Sequence, residues 1–133
     1  MTIQEFISNA PIERQELLTI LHEVIIANDP AVTAVIKPMM GKDMILYEDH
    51  GYMKYGLADA KKHLSLHCLP IYMDAGLHAK YVALLPAAQF QKGCINFTNA
   101  GQMPLIPVTA LIADCALINI VEMLENRKKK SKG

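Results

Sequence analysis

Between His63 and Cys68 the chain alternates strictly, with Leu64, Leu66 and Cys68 at every second position and His63, Ser65 and His67 between them. A period of two is that of a β-strand with one face in a core and the other turned outward. The run sits in a longer stretch, YMKYGLADAKKHLSLHCLP (Tyr52–Pro70), that reads as a hairpin. Tyr52–Ala58 is its first strand, Asp59–Lys62 the polar turn and His63–Cys68 the second strand. Two histidines and a serine are thus expected on one open sheet face.

The flanking segments extend this sheet and cover it. Thr2 and Glu5 form a capping-box pattern that starts a short helix with Ile3, Phe6 and Ile7 on its apolar side. Pro11 suits the first turn of a second helix, which runs to Asn28 before Asp29-Pro30. Leu17, Leu18, Leu21, Val24 and Ile25 make its buried stripe, and Glu13, Glu16 and Glu23 lie opposite. Ala31–Met40 reads either as a short helical turn or as an edge strand, because Pro38 argues against a central one. Met44–Glu48 is a strand, and Asp49-His50-Gly51 turns it into Tyr52. A helix is predicted over Asp74–Leu85, then one strand over Gln89–Phe97 with Gly93 as a bulge or close-approach point, then a loop over Asn99–Pro107.

The last helix, Val108–Asn126, is apolar around most of its circumference between Leu111 and Leu124. Such a helix is buried on more than one side. Either it lies centrally under the sheet, or it covers the sheet with one face and a second subunit, in a homodimer, with the other. The whole is one α+β domain over residues 1–126, a two-layer sandwich. Its mostly antiparallel sheet is a meander plus one or two further strands, packed by N- and C-terminal helices.

Charge divides the chain. Residues 1–50 carry eight acids and three bases, whereas residues 127–133 (RKKKSKG) carry five bases and no acid. The tail is expected to be disordered, and it is the one stretch suited to nucleic acid or anionic lipid. No apolar run approaches the ~18 residues of a bilayer span, and MTIQEFISNA has no basic start or apolar core of a secretory leader. Three cysteines without a CxxC pair fit reduced thiols in a cytoplasm.

Two segments taken together, KYGLADAKKHLSLHCLPIY and FQKGCINF, resemble the paired sequence marks of the YdhG-like domains. The resemblance covers roughly Pro11 to Ala116. One departure is Lys37-Pro38-Met39-Met40-Gly41, where many members have a Gly-Met-Pro turn. The resemblance implies a cytoplasmic α/β sandwich without a known catalytic constellation. Some members are labelled frataxin-like iron chaperones, and frataxins carry an acidic ridge on their first helix and first strand. Here that region holds Glu13, Glu16, Glu23 and Asp29, then Asp43, Glu48 and Asp49. Glu13, Glu16, Glu23, Asp43, Glu48 and Asp49 are therefore the candidate ligands for loosely bound Fe²⁺, since exposed carboxylates hold such cations weakly.

A second candidate site lies on the open sheet face. Tyr52, Lys54, Lys62, His63, His67 and Lys92 are expected to gather there, a composition suited to a small anionic molecule or a protein partner. His63 and His67 stand about 13 Å apart along the strand, too far to share one metal. Ser65 lies between them, but residues two apart on a strand do not face each other, and no GxSxG elbow is present. The expected protein is a binding module rather than an enzyme. Cys68 and Cys115 fall at apolar positions and read as buried thiols, which leaves Cys94 as the cysteine to test for reactivity.

Overall fold

The computed structural model describes residues 1–39, 41–60, 63–91, 93–98 and 103–132, with backbone alone for 129–132. Lys62, Lys92, Met40 and the start of the 99–107 loop lie outside the described residues.

The first helix, α1 (Ile3–Ser8), begins as its sequence predicts: Thr2 Oγ1 accepts from the Glu5 N–H at 3.0 Å, and Glu5 Oε1 accepts from the Thr2 N–H. Helix α2 (Ile12–Asn28) follows Pro11 and buries Leu17, Leu18, Leu21, Val24 and Ile25, the predicted stripe. Four strands then form a meander: β1 (Thr33–Met39), β2 (Lys42–Asp49), β3 (Tyr52–Asp59) and β4 (Leu64–Cys68). Strand β1 is an edge, where Pro38 interrupts no central ladder. The β2–β3 turn holds His50 and Gly51 at φ values of 51° and 83°. Two successive positive φ angles are those of a type I′ turn, whose twist matches an antiparallel hairpin. Helices α3 (Leu69–Met73) and α4 (Ala75–Leu84) follow, with the Asp74 side chain capping the Leu77 N–H.

Two expectations are corrected. The single strand predicted over Gln89–Phe97 is a small hairpin of β5 (Gln89–Phe90) and β6 (Cys94–Phe97). The Gln91 N–H bonds the Cys94 carbonyl at 2.8 Å, and Gly93 stands outside the strand, its carbonyl accepting from the Cys68 N–H. The last helix is also two: α5 (Leu105–Ala116) and α6 (Ile120–Lys132), bent by 54° at their junction. Asn119 causes the restart, because its side chain accepts from the Glu122 N–H at 3.0 Å as an N-cap. Leu117, before the break, is exposed. Helix α6 continues across residue 126, where the sequence reading begins a disordered tail.

The six strands are antiparallel throughout, in the order β1-β2-β3-β4-β6-β5. One face carries Ile45, Tyr47, Tyr55, Leu57, Leu64, Leu66, Cys68, Ile95 and Phe97 into the core. The buried apolar residues of α2, α4 and α5 all join the cluster on this face. The domain is thus α+β, with helices on one face of a mostly meandering sheet.

Candidate functional site

Two polar clusters lie on opposite faces of the sheet. The first begins with a fault in the ladder. Tyr47 pairs with Tyr55 and Glu48 with Met53, so pairing steps by one on β2 and by two on β3. Lys54 is the extra residue of a β-bulge, and the bulge turns its side chain to the helix-covered side together with that of Tyr55. Both meet Asp29, the residue that ends α2. Lys54 Nζ lies 2.8 Å from Asp29 Oδ2, and Tyr55 donates to the same oxygen at 2.7 Å. A second acceptor for Lys54 is the Ile118 carbonyl, 2.9 Å away at the α5–α6 break. Asp29 and Lys54 are each 1% exposed.

The neighbouring thiols complete this region. Cys68 and Cys115 bring their sulfurs to 3.7 Å, and both are buried. The contact with Cys68, and then burial, pushes the Cys115 thiol far above the ordinary cysteine range. Burial, reinforced by Cys115 and Asp29, pushes the Tyr55 hydroxyl up likewise. The Cys115 thiol and the Tyr55 hydroxyl stay protonated, and the Asp29, Lys54 and Tyr55 contacts hold β3 to α2 and to the α5–α6 corner. The chemistry is that of a structural lock.

The second cluster lies on the opposite face. Alternation sends Ser65 and His67 of β4 away from the core, and the register sets Ser65 against Asn96 and His67 against Cys94. On the other side His67 is paired with Gly56. Cys94 Sγ and His67 Nδ1 are 3.3 Å apart, and the thiol donates to Nδ1 when the imidazole carries its proton on Nε2. Burial holds His67 below the usual imidazole pKa. It pushes the Cys94 thiol up, against a hydrogen bond from Ser65 that lowers it. The resting pair is therefore a neutral thiol and a neutral imidazole. Both side chains are partly exposed. Asn96, 6% exposed, has a buried Oδ1 with no hydrogen-bond partner among the described residues. An unsatisfied buried acceptor costs about 1–3 kcal/mol, and because this Oδ1 has essentially no accessible surface, a ligand donor reaches it only when the side chains that cover it move aside.

Of the predicted ligand residues, His67 and Lys54 fall in these clusters, one in each. His67 is on the open face as expected. Lys54 is not: the bulge carries it to the buried side. Tyr52 lies beside Lys128 of α6, whose Nζ donates to its hydroxyl at 3.2 Å and stands 5.1 Å from the ring centre. His63 precedes β4, half-buried, and its carbonyl accepts from the Ala60 N–H. Lys62 and Lys92 are among the residues not described. Cys94, Ser65 and Asn96 were not in the predicted set. The signal for Ser65 was the alternation itself. Nothing in a single sequence sets Cys94 opposite His67, since that needs the β4–β6 register.

The six acids proposed for iron do not converge. Glu13, Glu16 and Glu23 are exposed along α2, with Glu16 and Glu23 bordering a shallow groove against α1. Asp43, Glu48 and Asp49 are spread along β2, and two of them are engaged: Glu48 with Lys37 at 2.9 Å and Asp49 with His50 at 2.7 Å. Among the described residues no three His, Cys, Asp or Glu side chains are grouped to hold one ion. No single described helix is long and apolar enough to cross a membrane.

The chain is similar over 83% of its length to YdhG, a DUF1801-family protein from Bacillus subtilis known from a crystal structure. The match covers 84% of that chain, with a TM-score of 0.64 and 18% sequence identity. At that identity the likeness is one of fold, and the fold is YdhG-like. No protein-family model matches the sequence, and no curated protein does.

Proposed function

We propose that this protein is a non-enzymatic binding module whose site is the sheet face opposite α2, α4 and α5, at β4 and β6. Its ligand is a small molecule that offers amide N–H donors. The observation that carries this reading is the unpartnered, buried Asn96 Oδ1 beside the Ser65, His67 and Cys94 side chains. A site rich in hydrogen-bonding side chains with one vacant acceptor selects a ligand by its donor. Among the described residues an anionic ligand is less well served, because Lys54 is on the other face and Lys37 is paired with Glu48. An iron carrier needs carboxylates that share an ion, and the six acids proposed for iron stand apart or are engaged by Lys37 or His50.

Amide NMR during titration with a panel of di- and tripeptides, reduced glutathione among them, tests the reading. Saturable shifts confined to Ser65, His67, Cys94 and Asn96, and lost in Asn96→Leu, are expected. A panel that leaves those signals unmoved at millimolar concentration overturns it.

A further inference from the structure

We infer that Cys94 and His67 form a thiol–imidazole dyad that captures small disulfides covalently on this face. This rests on the binding site proposed above and adds a reaction to it. Of the three cysteines, Cys68 and Cys115 are buried against each other, and Cys94 alone is partly exposed. Its sulfur has a proton acceptor, His67 Nδ1, at 3.3 Å. A thiol attacks a disulfide as its thiolate, so a base in contact with the sulfur generates the nucleophile during attack.

The step is an exchange. The Cys94 S–H bond breaks, and its proton passes to His67 Nδ1. The sulfur's electron pair forms a new S–S bond with one sulfur of the small disulfide R–S–S–R. The old S–S bond breaks, the other half leaves as a thiolate, and His67 returns the proton to it. The products are Cys94–S–S–R and R–SH, and the small disulfide is the only oxidant required.

The orphan acceptor fixes the class of R. Asn96 lies two residues from Cys94 on β6 and on the same face, a separation of about 7 Å along the strand. A cysteine-containing peptide carries amide N–H groups within that reach of its sulfur. Its disulfide therefore offers both the bond that Cys94 attacks and the donor that Asn96 Oδ1 lacks.

Oxidised glutathione is the probe, with adducts located by peptide mass mapping and their rates followed by site. One glutathionyl group on Cys94 is expected, forming at least about tenfold faster in the folded chain than at Cys94 of the urea-unfolded chain. Burial without a working base would make the folded thiol slower, so a folded rate at or below the unfolded one overturns the dyad, as does an adduct on Cys68 or Cys115 instead. In folded His67→Ala the rate falls about tenfold or more, and added imidazole restores part of it; an unchanged rate also overturns the proposal. Cys94→Ser loses the adduct. If it keeps the reversible peptide shifts in every case, the binding reading stands whether or not the dyad does.

Discussion

Two buried polar sites on opposite faces of this sheet are completed to different degrees. On the helix-covered face, Asp29, Lys54 and Tyr55 are deep in an apolar core, and each is answered by another group. On the other face, Asn96 is nearly as buried but its Oδ1 is unanswered. Burial is common to both, so burial does not separate a structural cluster from a binding one. Completeness does. A finished network resists change, whereas an unfinished one is improved by a ligand or by losing the polar group.

The largest effect expected from this contrast is at Asp29. Asp29→Asn leaves the Lys54 ammonium in the core without its counter-charge, and breaking a buried pair from one side costs about 3–5 kcal/mol. Chemical denaturation measures this directly. The double variant Asp29→Asn/Lys54→Met removes the stranded charge and is expected to recover more than half of the loss. A cost below about 1 kcal/mol for Asp29→Asn would mean that water reaches the pair, and the two faces would then differ less than their geometry implies.

How the two clusters were hidden in the sequence differs too. The frame was legible because local chemistry writes it: the Thr2–Glu5 box, the α2 stripe and the Leu64–Cys68 alternation each act over a few residues. The Asp49-His50-Gly51 turn belongs to the same class. The clusters depend on longer-range facts. Strict alternation along β3 puts Lys54 on the outer face, and a bulge is an exception to alternation that is set by the partner strand. The break at Asn119 was locally readable, since Asn119 and Glu122 stand three apart as a cap and its N3 residue, but the apolar run around them concealed it. The Gln89–Phe97 hairpin is too short for its two arms to show separate patterns. Cys94 and His67, 27 residues apart, meet only through strand order.

On the open face the expected effect is smaller and of the other sign. Asn96→Leu replaces a buried acceptor that has no partner with a side chain of similar volume, so stability is unchanged or raised by up to about 1 kcal/mol. Asp29→Asn and Asn96→Leu are both substitutions at buried polar residues, and opposite signs in the same denaturation assay sharpen the contrast. A loss above about 1 kcal/mol at Asn96 would place its Oδ1 in a finished network and remove the basis for a ligand there.

The smallest effect belongs to the rim, where neither burial nor an orphan group is at stake. Helix α6 reaches the start of β3 through Lys128 and Tyr52, a surface hydrogen bond and cation–π contact. Exposed contacts of this kind contribute about 0.5–1 kcal/mol. Deleting residues 127–133 is therefore expected to lower the melting temperature by no more than about 4 °C, with the Asp29 and Asn96 effects unaltered in the shortened chain. Independence is the informative part, because distant sites without shared partners contribute additively. The Ile118 carbonyl that holds Lys54 lies just before α6. A tail deletion that changed the cost of Asp29→Asn would show that the last turns of α6 help position that carbonyl, and would extend the buried network to the end of the helix.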